Sequence, residues 1–248
     1  WESFSEDDGL TWTTPRHTRF ISNQSASAVL RLADGRLIHF WNNCGAEGQG
    51  KIHWGMAERA AMAAAISSDE GKTWLGWREV GRITTQPQIS YPYVTQMKDG
   101  HILLYAAGFL IRVRPDFLTN TTLAEHFAAG TRRWSTLGTE GVTAVQDPDG
   151  RDATVLRTLK PDADTPSGAC LNFPYGQSGE LEMVVRIEPG FEGAHFTLSD
   201  HYDLPGLPRD GSFPFRITDK GRVMILGSGG TWLNTPGDPE PGKWHLLR

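Results

Sequence analysis

The chain has 248 residues, a formal net charge of −5 and two cysteines. This length can hold one large or two ordinary domains, and we expect two. Its basic and acidic residues are interspersed, which argues against the clustered basic face of a nucleic-acid-binding protein. No stretch approaches the roughly 20 apolar residues of a membrane span. With 28 glycines, 15 prolines and nine tryptophans, the composition suits an all-β protein of short strands and many turns.

One octet occurs twice, as SEDDGLTW at 5–12 and as SSDEGKTW at 67–74. A pattern repeated at a fixed spacing marks stacked copies of one supersecondary unit. Within the second copy, Asp69 can accept N–H groups of its own loop and Gly71 supplies an unusual backbone dihedral. Trp74 is large enough to hold the loop against a neighbouring sheet. The octets are therefore predicted to be turns between strands.

A second repeat lies out of phase with the octets. ASAVLRLADGRLIHFWNN at 26–43 aligns with YPYVTQMKDGHILLYAAG at 91–108, an offset of 65 residues. Each copy has an Asp-Gly between two apolar runs, which predicts a hairpin closed by a tight two-residue turn. Interleaving both repeats gives a unit of about 60 residues with four antiparallel strands. Such units arranged radially form a β-propeller.

The alanine-rich segment 57–67 favours helix by intrinsic propensity. We nevertheless predict a strand over 60–66, because each octet is a turn between two strands and a strand must therefore precede it. Tertiary context can override the intrinsic propensity.

The repeats end near residue 111, and new alternating runs begin further along the chain. The sequence predicts an all-β protein with an incomplete β-propeller of about two four-stranded blades, followed by a β-sandwich or jelly roll. The predicted domains are the propeller part at 1–111, a connector at 112–126 and the jelly roll at 127–248. The alternating runs of the second domain are 180–189, 194–200, 213–229 and 242–248.

Metal, cofactor and disulfide chemistry have little support in the sequence. Cys44 and Cys170 fall in different predicted domains, so we expect no disulfide between them. Asp200, Asp203 and Asp210 could offer oxygen ligands to calcium, but their spacing matches no metal motif and an ordinary solvated loop is the better interpretation. Nucleophile elbows, phosphate loops and zinc spacings are absent from the sequence. We therefore expect no metal and no cofactor.

The octet Ser-x-Asp-x-Gly-x-Thr-Trp is the Asp box, and with the flanking hairpins it makes residues 1–111 resemble the sialidase superfamily of six-bladed propellers. The closest resemblance is to bacterial sialidase-like proteins in which the propeller is followed by a concanavalin A-like jelly roll. It implies that the Asp boxes are structural and tie the turn between the third and fourth strands of a blade. Their residues are Ser5, Asp7, Gly9, Thr11, Trp12, Ser67, Asp69, Gly71, Thr73 and Trp74.

Strand parity predicts the working face. In an antiparallel blade, the Asp-Gly turns lie on the same rim as the octets, so the opposite rim carries the loop 43–59 and the links 13–25 and 80–90. The resemblance places sialidase chemistry on that opposite rim. The positions to inspect there are Ala26, Asn42, Arg59 and Tyr91.

Two of these residues match the family pattern in spacing. Tyr91 corresponds to the nucleophilic tyrosine, which needs a nearby Glu to accept its proton. Arg59 corresponds to one of the arginines that clamp the substrate carboxylate through charge-assisted hydrogen bonds. Two positions depart: Ala26 stands where the family has its proton-accepting Glu, and Asn42 stands where it has another clamp arginine.

Further side chains on the same rim are candidate contacts to sugar. Asn42, Asn43 and His53 could hydrogen-bond sugar hydroxyls, with a role inside their own loops as the alternative. Trp41 and Trp54 could stack on a sugar ring, with core packing as the alternative.

The resemblance implies a sialidase-like exo-glycosidase that acts on terminal sugars of glycans, with Tyr91 catalytic and Arg59, Asn42, Asn43 and His53 binding substrate. It also implies a secreted or periplasmic protein whose partner is a glycan. The alternative is a propeller that binds carbohydrate without catalysis, joined to a lectin-like jelly roll.

Overall fold

A computed structural model describes residues 1–22, 25–43, 59, 61–82, 88–137, 141–160, 167–174, 176, 178–199 and 212–248. The described residues are almost entirely β, in antiparallel sheets with one short helix, which confirms the predicted class. The chain divides into two compact units, 1–174 and 175–248.

The first sheet has four antiparallel strands in sequential order. They are β1 (Ala28–Arg31), β2 (Leu37–Asn42), β3 (Ala61–Ser67) and β4 (Leu75–Arg82). The predicted alanine-rich strand is thus confirmed, one residue further along the chain than expected. Every residue of β3 is buried, because small side chains allow both faces of this strand to be covered. Burial on two faces overrides the helical propensity of alanine.

The second sheet has three strands, not the four predicted for a complete blade. They are β5 (Tyr93–Gln96), β6 (Ile102–Ala106) and β7 (Phe109–Val113), again in sequential order. The helix α1 (Pro115–Thr119) follows and lies inside the predicted connector 112–126. Its Leu118 is buried in the same hydrophobic core as β3, so α1 is part of the packed first unit.

The Asp-Gly hairpins have a longer turn than the sequence predicted. Gly35 N donates to Leu32 O at 2.9 Å, and Leu32 N donates to Arg36 O at 2.8 Å. Gly35 has φ +91 and Gly100, in the equivalent turn, has φ +84. This is a three-residue loop with glycine in the left-handed position, and not a two-residue turn. A two-residue turn does occur between β6 and β7, at Ala107 and Gly108, both with positive φ.

A continuous hydrophobic core joins the first two sheets. Gly81 lies at the contact, where a Cβ would be 2.5 Å from Ile111 Cδ1 and 2.9 Å from Ile89 Cδ1, so any larger residue would require these side chains to move. The buried members of this core are Leu32, Ile38, Phe40, Met62, Ala64, Ile66, Ile89, Ile102, Leu104, Ala106, Val113 and Leu118.

An aromatic cluster covers the opposite face of the first sheet. Phe20 stacks on Trp77 with ring centroids 4.5 Å apart, and its edge meets Trp41 at 4.7 Å. His39 stacks on Trp41 at 5.1 Å. Burial lowers the pKa of His39 to about 4, because the cluster offers its imidazolium form no compensating charge.

We expect His39 to make stability depend on pH. Its pKa is lower in the folded chain than its ordinary value of 6.5, so its neutral form is stabilising above pH 6.5 and that contribution is lost as the pH falls from 6.5 to 4. The loss should reach about 3 kcal/mol at most. Urea unfolding at pH 7 and pH 5 should show a lower free energy of unfolding at pH 5 in the wild-type chain. In His39→Phe the free energies at the two pH values should differ much less. Equal pH dependence in both would contradict this assignment.

The described residues between 127 and 174 form two small two-stranded antiparallel sheets of the first unit. β8 (Trp134–Leu137) pairs with β11 (Gly168–Leu171), and β9 (Val142–Gln146) pairs with β10 (Thr154–Thr158). Cys170 carries a free thiol, and Cys44 lies outside the described residues.

One side chain anchors this segment to the first sheet. The Asn172 Oδ1 atom accepts hydrogen bonds from Glu79 N at 3.0 Å and from Arg78 Nε at 3.2 Å. The Arg78 guanidinium also lies 4.2 Å from the ring centroid of Phe117 in α1. Beside it, burial raises the pKa of Glu79, although the glutamate is paired with Arg82. The first compact unit therefore extends past the predicted connector.

The second unit contains a two-stranded and a four-stranded sheet. β12 (Met183–Arg186) pairs with β17 (Trp244–Leu247). The strands β13 (Gly193–Leu198), β14 (Phe213–Thr218), β15 (Val223–Leu226) and β16 (Trp232–Asn234) form a sequential meander. The jelly roll and its limits at 127–248 stay a prediction. Among the described residues, no helix has the length and hydrophobicity needed to span a membrane.

Candidate functional site

Each octet forms a turn held by its own side chains. In the second copy, Ser67 Oγ donates to Asp69 Oδ1 at 2.8 Å and accepts from Gly71 N at 2.9 Å. Thr73 donates to the Asp69 carboxylate twice, through its N at 2.8 Å and its Oγ1 at 2.6 Å. Trp74 Nε1 donates to Gly71 O at 2.9 Å. These bonds satisfy the turn internally and leave no side chain of the motif directed at a ligand.

The first octet repeats the same hydrogen bonds almost atom for atom. In both copies the threonine and serine hydrogen bonds to the carboxylate, the threonine hydroxyl first, lower the pKa of the aspartate to about 2. Asp7 and Asp69 thus remain ionised well into the acid range, and this ionisation suits a fixed structural acceptor.

The second octet and the Asp34-Gly35 turn lie at the same end of the first sheet, as strand parity predicts. Arg31 donates to both carboxylate oxygens of Glu70 in the second octet, at 2.8 and 2.6 Å, and to Gly35 O at 2.9 Å. The Gln96 side chain, from β5, accepts a hydrogen bond from Ala33 N at 2.7 Å. This end, the Asp-box rim, is held together by side chains from both sheets.

Arg59 and Tyr91 meet beyond the opposite end of the strands. Arg59 Nη1 donates to the Tyr91 hydroxyl at 3.2 Å, and the guanidinium carbon lies 5.2 Å from the centroid of the tyrosine ring. Tyr91 is 50 % exposed. A cation and a phenol with accessible surface are therefore placed side by side on the rim that lacks the Asp boxes, which we call the open rim.

Tyr91 is held in an unusual backbone conformation. Its φ is +57, in the left-handed region that a bulky residue rarely adopts. Ile89, two residues before Tyr91, is fixed in the core, and its N donates to Arg59 O at 3.0 Å. The segment that carries Tyr91 is thus bonded to the backbone of Arg59, and the strain is maintained by packing. Strained residues of this kind concentrate at functional sites.

Asn42 supports this arrangement from inside the protein. It is fully buried, and its Nδ2 donates to Ile89 O at 2.7 Å and to Ala61 O at 3.0 Å. A direct bond from this side chain to a sugar stays a prediction, and its burial favours the alternative of a role within the loops. The amide joins the end of β2 to the segments that carry Arg59 and Tyr91.

The structure adds Ser90, which the sequence reasoning missed. It is 1 % exposed, and its Oγ has no hydrogen-bond partner among the described residues; the same is true of Asn42 Oδ1. Buried oxygen atoms of this kind are uncommon and usually have a partner. The only sequence signal for Ser90 is its position next to Tyr91.

The other residues predicted for the open rim are not seen to join Arg59 and Tyr91, or they lie outside the described residues. Asn43 is buried, and Ala26 is exposed. Trp41 packs in the aromatic cluster and donates to Ile21 O at 3.1 Å, in agreement with the core-packing alternative. The residues outside the described part of the chain are His53, Trp54, Asp200, Asp203 and Asp210.

The Tyr91 hydroxyl has a cationic partner. Within the described ranges, it accepts a hydrogen bond from Arg59 and forms none with a carboxylate. The same ranges contain no group of three or more His, Cys, Asp or Glu that could hold a metal ion. The arrangement can bind an anionic group through Arg59 and present the tyrosine hydroxyl to it.

Comparison with known protein families agrees with the geometry of the first unit. Residues 1–104 match the family described as BNR repeat-like domain. This match supports a relationship of the first part of the chain to the BNR and sialidase-like superfamily. A search of curated proteins with the chain found no match.

Proposed function

We propose that the chain belongs to a sialidase-like glycoside hydrolase, in which the open rim holds the terminal acidic sugar of a glycan. The observation that carries the proposal is the contact between Arg59 and Tyr91 on the rim opposite the Asp boxes. The match of residues 1–104 to a BNR repeat-like domain supports the same class of protein.

The chemistry assigns a different role to each of the two side chains. The planar guanidinium of Arg59 presents paired N–H donors that fit the carboxylate of an acidic sugar. Tyr91 would attack the anomeric carbon while the glycosidic bond to the leaving alcohol breaks, because a neutral phenol avoids repulsion from the substrate anion. The leaving oxygen needs a proton from a general acid, and the Tyr91 proton must pass to a carboxylate. Among the described residues, no carboxylate hydrogen-bonds to the Tyr91 hydroxyl. Asn42 would hold both segments in place without touching the sugar.

A specific observation favours a second candidate, carbohydrate binding without catalysis. The Tyr91 hydroxyl is bonded to a cation and to no carboxylate among the described residues, so the described rim has a binding group but no base. In this second function Arg59 and Tyr91 recognise the glycan and release it unchanged.

The two candidates are separated by measuring turnover and binding on the same variants. We expect Tyr91→Phe to lower hydrolysis of an aryl sialoside by at least about a thousandfold while binding of 3′-sialyllactose changes by less than about threefold. Arg59→Ala should weaken binding by about 10- to 100-fold, the value of a charged hydrogen bond.

Arg36, paired with Asp34 at the Asp-box rim, provides the matched control, since Arg36→Ala removes the same charge at the opposite end of the sheet. Binding without turnover in the wild-type chain would select the second candidate. Unchanged binding in Arg59→Ala would exclude both.

A further inference from the structure

The four-stranded sheet of the second unit gathers polar and aromatic side chains on one face. Directly paired residues of antiparallel strands share a face, and the register pairs His195 with Arg216 and Arg216 with Met224. Trp232 pairs with Leu226, which lies two residues after Met224 and therefore on the same face. We call this surface the Arg216 face.

Three of these side chains contact one another. The guanidinium carbon of Arg216 lies 4.3 Å from the ring centroid of Trp232. His195 meets the same indole in a T-shaped arrangement, with centroids 6.1 Å apart. His195 is exposed, and Arg216 and Trp232 are half-buried. The result is a cationic group held in a fixed position against a large aromatic ring.

The charge of Arg216 is not balanced by the sheet that carries it. Strands β13 to β16 contain no Asp or Glu, and Arg216 forms no ion pair in the described part of the second unit. Its Nη2 lies 3.5 Å from the Met224 sulfur, a weak acceptor, and its buried Nε has no acceptor among the described residues. The half-buried guanidinium therefore carries a charge that no carboxylate of its own sheet neutralises, and its accessible part can pair with a ligand anion.

We propose that the Arg216 face binds a saccharide that carries an anionic group, either a carboxylate or a sulfate. The guanidinium fork matches both anions, and the indole of Trp232 supplies an apolar surface for the sugar ring. Thr197 and Asn234 lie on the same face by register and are exposed, so a hydroxyl and an amide are available for sugar hydroxyls. This site belongs to the second unit and the open rim to the first, and the proposal does not depend on the proposed function.

The test uses the whole chain and isothermal titration calorimetry. A heparin tetrasaccharide presents sulfate and carboxylate, a hyaluronan tetrasaccharide presents carboxylate alone, and maltotetraose is the neutral control. We expect at least one acidic saccharide to bind and maltotetraose not to bind. Comparison of the two acidic ligands identifies which anion is recognised.

Variants test whether the acidic saccharide binds at the Arg216 face. Arg216→Met and Trp232→Ala should each weaken it about tenfold or more. Arg222→Met removes the same charge from an exposed arginine of the same unit and should change binding by less than about twofold. His195→Ala, at an exposed position, should also weaken binding and keeps the test valid if the half-buried variants fail to fold.

Three results would overturn the proposal: no acidic saccharide binds the wild-type chain, Arg216→Met and Arg222→Met weaken binding equally, or Arg59→Ala alone abolishes all binding. The third result would leave the open rim as the binding site and so would not count against the proposed function.

Discussion

Replacing Gly76 by alanine is expected to destabilise the first unit by about 3 kcal/mol. Gly76 has φ +97, and a Cβ at this position would lie 2.8 Å from the backbone oxygen of Leu118 in α1. The substitution therefore adds backbone strain to a collision with backbone that cannot rotate away. Hydrogen exchange of the buried amides of β3 should show about a hundredfold loss of protection.

Gly108→Ala is the matched control for this substitution. Gly108 has φ +90 and no atom within 4 Å of the added Cβ, so it carries the strain without the collision and should cost about 1 kcal/mol. Equal losses in the two variants would mean that α1 does not pack against β4.

Replacing Asn42 by leucine is expected to weaken both the stability of the first unit and glycan binding at the open rim. Leucine has a similar volume but leaves the carbonyls of Ala61 and Ile89 buried without their donor, at a cost of about 2 to 4 kcal/mol. Because Ile89 also bonds to Arg59, its release should disturb the positions of Arg59 and Tyr91. Urea unfolding and calorimetry with 3′-sialyllactose measure the two effects.

Asn172→Leu is the control that separates the positioning of Arg59 and Tyr91 by Asn42 from a general loss of stability of the first unit. Asn172 also makes two hydrogen bonds inside the first unit, to Arg78 and Glu79, but neither of these residues bonds to Arg59 or Tyr91 in the described chain. We expect Asn172→Leu to lower stability while glycan binding is retained under conditions where the protein is folded. Equal loss of binding in both variants would show that Asn42 has no special role in holding the site.

The features that the sequence predicted correctly are those set by local chemistry or by strand parity. The octets form their turns from hydrogen bonds within eight residues, so the pattern Ser-x-Asp-x-Gly-x-Thr-Trp contains the whole motif. Strand parity depends only on the number of strands between two loops, and it placed the Asp34-Gly35 turn and the second octet on one rim, where the structure shows Arg31 bonded to Glu70.

The features that the sequence did not predict depend on contacts between distant residues. The end of β2 is buried on both faces, so alternation could not tell whether Asn42 points towards solvent or into the protein. The packing of Leu118 against Gly76 joins a helix to a strand some forty residues earlier, and the bonds of Asn172 to β4 span a longer distance. No local pattern in the sequence marks such contacts.

The central claim is that the open rim, at Arg59 and Tyr91, is where this chain holds a sugar. The most direct measurement is a crystal structure of the chain soaked with 3′-sialyllactose. We predict density for the sugar carboxylate within hydrogen-bond distance of the Arg59 guanidinium and for the sugar ring beside Tyr91. Sugar density at the Asp-box rim, with the hydrogen bond from Arg59 to Tyr91 still intact and no sugar beside it, would contradict the claim.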